Sequence, residues 1–187
     1  MLGPNEGVGN SGPDCTSTPP DNRRQGRYVR IVNGPYVAVI GAGKATAEQE
    51  RVAERVGALL ADAGAVLVSG GRGGVMLASC RGAHGRGGVT VGLLPGPDRA
   101  EGNPFLTVAV PTGMGELRNG LIARAADGFV AVGGGWGTLS EIGFAMRLGK
   151  PLIAVGSWTV EGPAHEPSYP TADTAEAAVS WVLRQLG

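Results

Sequence analysis

The chain has 187 residues, a length that fits one domain with a tail better than two domains. Its formal net charge is zero, from 16 basic and 16 acidic residues, which argues against a nucleic-acid-binding protein. The two cysteines form no disulfide framework, and no apolar run is long enough for a membrane span or a signal peptide, so we expect a cytoplasmic protein.

The first segment of the chain is polar and rich in proline and glycine. Residues 1–28 contain few large apolar side chains. A segment of this composition cannot bury enough apolar surface to offset its loss of conformational entropy. We therefore predict a disordered tail over residues 1–28, followed by a single domain over residues 29–187.

Short apolar runs alternate with segments of helical periodicity through the rest of the chain. The predicted strands cover residues 37–40, 66–68, 89–94, 106–110, 129–132 and 151–155. The predicted helices cover residues 46–63, 73–83, 115–126, 138–148 and 174–186. Strands that alternate with helices imply right-handed crossovers and a parallel sheet. We predict a Rossmann-like, three-layer α/β domain with helices on both faces of the sheet.

Two glycine-rich turns follow predicted strands and open predicted helices. The chain has 34 glycines, where average usage of about 7% would give roughly 13. The candidate ligand-binding residues in the two turns are Gly70, Gly71, Arg72, Gly73, Gly74, Gly134, Gly135, Gly137 and Thr138. The unpaired N–H groups of a helix's first turn favour an anion, most often a phosphate. We therefore predict a phosphorylated small molecule as the ligand. A tight packing turn is the alternative.

A third turn, over residues 41–44, follows the first predicted strand. It reads Gly-Ala-Gly-Lys, and Thr46 stands where a dinucleotide fingerprint has its third glycine. A Walker A motif is absent as well, because Ala45 follows the lysine. This turn gives only a weak signal for nucleotide binding.

Residues 133–141 read Gly-Gly-Gly-Trp-Gly-Thr-Leu-Ser-Glu and resemble the PGGxGTxxE signature of the Lonely Guy family. That family contains phosphoribohydrolases that cleave nucleoside 5′-monophosphates, within the SLOG Rossmann superfamily. Arg118 lies fifteen positions before Gly133, which matches the spacing of the family's catalytic arginine. The resemblance covers most of residues 36–156. It implies catalytic roles for Arg118 and Glu141.

The chain departs from that signature at two places. Gly133 replaces the proline, and Leu117-Arg118-Asn119 replaces Glu-Arg-Lys. These departures are similar to the molybdenum cofactor carrier-like proteins, for which the proposed role is binding and not hydrolysis. The DNA-processing A proteins share the broader fold, and the neutral charge argues against that branch.

Arg118 and Glu141 have the side chains that N-glycosidic hydrolysis needs. An arginine can hold a phosphate or the leaving base, and a carboxylate can stabilise an oxocarbenium ion and activate water. Two structural alternatives stay open. Thr138-Leu-Ser-Glu141 has the form of a capping box, in which the glutamate bonds back to the cap residue. Arg118 could equally be a solvated helix residue.

Other candidate residues have weaker signals. Asn119 is a candidate contact to a base or ribose, and Trp136 either stacks on a base or covers its turn. His84 and His165 lack companions at metal-ligand spacing, so we predict no metal site.

Two functions therefore remain open at this point. The first is binding of a nucleoside 5′-monophosphate-like ligand, with hydrolysis by Arg118 and Glu141. The second is a carrier of molybdopterin, or a nucleotide sensor, without turnover. We expect no required cofactor and no membrane partner. The resemblance implies a homodimer or a larger homo-oligomer, and the apolar helix around Ile142, Phe144, Ala145 and Met146 is compatible with one.

Overall fold

The computed structural model describes residues 33–162 and 169–187, and the predicted tail over residues 1–28 lies outside these ranges. Strands and helices alternate along the described chain. The strands are Tyr36–Gly41 (β1), Val66–Ser69 (β2), Thr90–Leu94 (β3), Val108–Pro111 (β4), Gly128–Val132 (β5) and Leu152–Val155 (β6). The α-helices are Ala47–Asp62 (α1), Val75–Gly85 (α2), Asn119–Ala125 (α3), Trp136–Arg147 (α4) and Ala175–Leu186 (α5). None of these helices is long and apolar enough to cross a membrane.

The six strands form one parallel sheet in the order β4-β3-β2-β1-β5-β6. Helices α1, α2 and α5 pack on one face, and α3 and α4 pack on the other. Strands β1, β2, β5 and β6 are apolar on both sides because each side meets a layer of helices. The predicted three-layer α/β architecture is confirmed.

Helices α1 and α2 pack unusually close together. Gly57 of α1 lies against the carbonyl of Ser79, and Gly82 of α2 lies against the carbonyl of Glu54. A methyl group at either glycine would overlap the opposite backbone. The pair of glycines therefore fixes the distance between these helices, and α2 in turn supports the turn that follows β2.

Helix α1 has the boundaries that its sequence signals indicate. The Thr46 hydroxyl accepts a hydrogen bond from the Gln49 N–H, and the Gln49 side chain accepts one from the Thr46 N–H. These two bonds form a capping box. Gly64 follows the helix with a φ of 74°, as expected for a left-handed terminating glycine.

Several other predicted boundaries differ from the structure. The predicted helix over residues 115–126 is a 3-10 turn, Gly115–Arg118, followed by the short α3. Helix α2 begins at Val75 because Gly74 has a φ of 62°. The fourth strand begins two residues later than predicted, at Val108.

Candidate functional site

A large cavity opens where the order of the strands reverses. Chain connections leave β1 and β5 in opposite directions, so a crevice forms beyond their carboxyl ends. The cavity has a volume of about 1240 Å³, above the roughly 300–1,000 Å³ of an ordinary ligand pocket. Its basic side chains are Lys44, Arg72 and Arg118, and its larger apolar side chains are Met76, Leu117, Trp136 and Phe144. The cavity therefore suits a ligand with both an anionic and an apolar part.

The turn between β5 and α4 forms one wall of this cavity. Gly133 has a φ of 57° and Gly134 a φ of 141°, conformations that side-chain-bearing residues rarely adopt. They bring the chain directly into α4, whose first residues, Trp136, Gly137 and Thr138, line the cavity. The N–H groups of a helix's first turn have no acceptor within the helix and lie at the positive end of its dipole. This wall is suited to bind an anion.

Arg118 and Glu141 meet inside the cavity. Arg118 ends the 3-10 turn before α3, and Glu141 lies in the second turn of α4. Arg118 NH1 is 3.6 Å from Glu141 Oε1, and each side chain is 9% exposed. The distance is too long for a good hydrogen bond, and the buried Nε of Arg118 has no partner in the described part of the chain. The guanidinium thus keeps hydrogen-bonding capacity for a ligand.

Burial shifts the pKa of both groups. It raises the pKa of the Glu141 carboxyl to about 7, and the positive charge of Arg118 acts in the opposite direction. Burial also lowers the pKa of the Arg118 guanidinium, which the charge of Glu141 opposes. Near neutral pH the Glu141 carboxyl therefore exists in both its protonated and its ionised form.

The capping-box interpretation of Glu141 is wrong. Helix α4 begins at Trp136, so the cap residue is Gly135 and Thr138 is the third residue of the helix. The Thr138 hydroxyl accepts a hydrogen bond from the N–H of Gly135, at 3.4 Å. Because the glycines start the helix two residues earlier than predicted, Glu141 lies beyond the cap and faces Arg118 instead.

The glycine turn after β2 contributes differently from the turn after β5. Arg72 lines the cavity, and its NH2 is 3.8 Å from Glu101 Oε2. Gly70, Gly71, Gly73 and Gly74 are not among the lining residues. A methyl group at Gly70 would lie 2.5 Å from both terminal nitrogens of Arg118, so this glycine leaves room for the guanidinium.

The other glycines of that turn pack against neighbouring backbone. Gly74 contacts the carbonyl of Ala42, which also accepts a hydrogen bond from the Val75 N–H at 3.1 Å. This bond occupies an N–H group at the start of α2, so α2 has fewer free N–H groups for an anion than α4 has. Gly71, with a φ of 70°, packs against Gly92.

Asn119 lines the cavity and also connects α3 to the first turn of α4. Its Nδ2 donates to Ser140 Oγ at 2.9 Å and to the Gly137 carbonyl at 3.4 Å. Ser140 donates to the same carbonyl at 2.7 Å. Asn119 therefore holds the first turn of α4 in place, a role that its sequence position did not indicate.

The turn after β1 belongs to the site, although its sequence gave a weak signal. Residues 41–44 all line the cavity, and Lys44 adds a positive charge opposite the turn after β5. The dinucleotide fingerprint was the wrong criterion for this turn. The useful signal is that a lysine directly follows a predicted central strand, at whose carboxyl end ligands bind.

The remaining predicted candidates lie elsewhere. His84 packs against Phe105 with ring centroids 5.8 Å apart, and His165 lies outside the described residues. Within the described ranges, no group of three or more His, Cys, Asp or Glu side chains could hold a metal ion. Cys80 is buried, and burial raises the pKa of its thiol, so it is a packed and unreactive group.

Comparison with known proteins gives one family. The family model described as the SLOG cluster4 family matches residues 34–179. An uncharacterized protein from Archaeoglobus fulgidus is 41% identical over 140 residues, which cover 71% of this chain and 92% of that protein.

Solved structures give a consistent result. The molybdenum cofactor binding protein from the phototrophic bacterium Rippkaea orientalis superposes with a TM-score of 0.77 at 28% identity, over 84% of this chain and 100% of that one. The molybdenum cofactor carrier protein from Chlamydomonas reinhardtii superposes with a TM-score of 0.71 at 29% identity, over 82% of this chain and 98% of that one. Both relatives are matched over almost their whole length.

Proposed function

The chain belongs to the SLOG cluster4 family, and from that membership we propose that it binds and carries a phosphorylated heterocyclic ligand, first of all the molybdenum cofactor. The observation that carries this proposal is the buried Arg118, whose Nε has no partner, beside the first turn of α4. The structural relatives described as binding or carrying the molybdenum cofactor make that ligand the first choice.

The chemistry of the cavity fits such a ligand. The molybdenum cofactor joins a phosphate to a pterin ring system. The phosphate would accept hydrogen bonds from the N–H groups of Gly137 and Thr138 and from the Arg118 guanidinium. Lys44 and Arg72 add positive charge, and the pterin would occupy the apolar part of the cavity.

The turn after β5 favours carrying over hydrolysis. Gly133 has a φ of 57°, which proline cannot adopt because its ring holds φ near −65°. This backbone conformation therefore requires a glycine where the hydrolase signature has a proline. The resemblance to the molybdenum cofactor carrier-like proteins rests on the same glycine.

Binding of the cofactor is tested anaerobically with molybdenum cofactor extracted from a purified molybdoenzyme. Equilibrium dialysis followed by molybdenum and pterin analysis should give close to one cofactor per chain. Arg118→Met should weaken binding at least about tenfold, because it removes a charge-assisted contact. Arg124→Met, an exposed arginine of α3 outside the cavity, is the matched control and should bind normally. Equal affinity of the two variants, or no binding by the natural chain, would overturn the proposal.

A second candidate function is hydrolysis of a nucleoside 5′-monophosphate. The observation that favours it is the Glu141 carboxyl, whose pKa of about 7 suits a general acid or base. Water would add to the ribose C1′ as the bond to the base breaks, and the base would leave with a proton. Glu141 would take this proton from the water and pass it to the leaving base, and Arg118 would hold the phosphate.

Chromatographic detection of free base from AMP, GMP, CMP and UMP separates the two functions. A carrier should release no base above the rate without protein. Release that Glu141→Gln abolishes, while the nucleotide still binds, would establish hydrolysis and contradict a purely carrying role.

A further inference from the structure

An exposed tryptophan pair stands at the rim of the cavity. Trp136 is the first residue of α4, lines the cavity and is 78% exposed. Its ring centroid lies 5.3 Å from that of Trp158, and the two planes are inclined by 38°. An indole this exposed is unusual, because burying an aromatic side chain is strongly favourable. Its position needs a reason other than packing of the core.

Trp158 contacts Trp136 from outside the set of residues that line the cavity. Trp158 is half-buried and is not among the residues that line the cavity. Its Nε1 donates to the Gly135 carbonyl at 3.2 Å, and its own carbonyl accepts from the Tyr169 hydroxyl at 2.7 Å. These two bonds fix Trp158 to the core and to the glycine turn. The Trp136 ring thus rests on a rigid support with its other surface open.

The neighbours of Trp136 keep that surface open. Gly135 and Gly137 flank it in the sequence and have no side chains that could cover the indole. Leu117 and Phe144, which come from the α3 and α4 layer, line the same cavity and are also exposed. The apolar wall of the cavity therefore includes the exposed Trp136 indole, next to the N–H groups that would bind a phosphate.

We propose that Trp136 is a specificity residue that stacks on the heterocycle of the ligand, while Trp158 positions its ring. This inference rests on the proposed function, since it assumes that a phosphate is bound at the start of α4. It adds that Trp136 favours ligands in which a planar heterocycle, either a pterin or a nucleobase, is attached to the phosphate. A sugar phosphate without a ring of this kind should bind much more weakly.

The test compares ligands with and without a heterocycle. Calorimetric titrations use neopterin 3′-monophosphate, AMP, ribose 5-phosphate and inorganic phosphate. Trp136→Leu should weaken the two heterocyclic ligands roughly tenfold or more, as expected for loss of one stacking contact. It should leave ribose 5-phosphate and inorganic phosphate within twofold. Trp136→Phe, which keeps an aromatic face, should retain most of the affinity, and Trp181→Phe on α5 is the matched control.

The two heterocyclic probes separate a pterin ligand from a nucleotide ligand, since either can stack. Equal weakening of all four probes by Trp136→Leu would overturn the inference and indicate a disrupted turn. A natural chain that binds AMP and neopterin monophosphate no better than ribose 5-phosphate would overturn it too, with the anion site intact. Failure to bind any of the four probes would contradict the proposed function and this inference together.

Discussion

Arg118 and Glu141 form a buried ion pair whose hydrogen bonds are incomplete. A buried ion pair is favourable only when further hydrogen bonds offset the loss of hydration, and here the two groups are 3.6 Å apart. The buried Nε of Arg118 has no hydrogen-bond partner among the described residues, which lowers the stability of the protein without ligand. Ligand binding would remove that cost, so the stability of this protein and its affinity for an anion should be linked.

Glu141 should make the stability of the protein depend on pH. Its pKa is raised to about 7 in the folded chain, against 4.5 for an ordinary glutamate, so the folded state holds this proton more tightly. Its contribution is therefore fully present below pH 4.5 and is lost as the pH rises through 7. Between those limits the free energy of unfolding should fall by up to about 3 kcal/mol relative to Glu141→Gln.

Urea unfolding of the natural chain and of Glu141→Gln at pH 5, 6, 7 and 8 measures this difference. The variant should gain stability over the natural chain as the pH rises. Glu116→Gln, which changes an exposed carboxyl in the same cavity, is the matched control and should follow the natural chain. A difference between Glu141→Gln and the natural chain that is the same at all four pH values would contradict the assignment.

Gly70 should affect the site through Arg118. The methyl group of Gly70→Ala would lie 2.5 Å from both terminal guanidinium nitrogens, so the Arg118 guanidinium would have to shift from its present position. We expect weaker binding of inorganic phosphate, by roughly three- to tenfold, from a partial loss of a charged hydrogen bond. Gly73→Ala is the control, because its methyl group would meet only the Gly43 carbonyl, at 3.5 Å. Calorimetry that finds equal affinities for the two variants would contradict this role of Gly70.

Sequence patterns predicted some residues of this site and missed others. Arg118 and Glu141 were found from a resemblance, and the structure places them together. Lys44 was missed because no short motif describes a lysine that acts across the crevice from another turn. The bracing role of Asn119 could not be predicted either, because it depends on where Ser140 lies in three dimensions.

At the scale of elements, glycine conformation decided where helices begin. The apolar periodicity of the chain identified all five helices, but the first residues of α2 and α4 depend on the conformation of the glycine turns before them. Composition cannot distinguish Gly74, which has a positive φ and precedes a helix, from Gly137, which lies inside one. The interpretation of Glu141 as a capping residue failed for this reason.

The α1–α2 contact should be sensitive to a single methyl group. In Gly82→Ala the new group would overlap the carbonyl of Glu54, and backbone on both sides would have to move. We expect a loss of roughly 1–3 kcal/mol in the free energy of unfolding. Gly85→Ala at the end of α2, where a methyl group meets nothing within 4 Å, should be neutral or stabilising. Denaturant titration of both variants is the measurement, and a Gly82→Ala chain as stable as Gly85→Ala would show that the helices can separate freely.

At the scale of the whole molecule, the predicted homo-oligomer remains a proposal. Ile142 and Ala145 of α4 face the core, whereas Phe144 is exposed. Phe144 is one of several exposed apolar side chains on the α3 and α4 layer, together with Leu121 and Leu148. Apolar surfaces of this kind on a protein are typical of interfaces.

Light scattering should give at least twice the 18.9 kDa of one chain. Leu121→Glu should shift the protein towards the monomer, because it places a charge among the exposed apolar side chains of this layer. Gln185→Glu, an exposed position on the opposite layer, should leave the mass unchanged. A natural chain that is monomeric at every concentration would contradict the proposal.

The pairing of β1 with β5 also sets when the site can form during synthesis. The N–H of Tyr36 at the start of β1 bonds to the side chain of Asp127, 91 residues further along the chain. A ribosome that adds about 5–20 residues per second needs roughly 5–20 s to make the intervening segment. The glycine turn and α4 emerge later still, so the nascent protein has no crevice until most of the domain has been translated. A ligand of this crevice would therefore bind after translation and could not assist the early steps of folding.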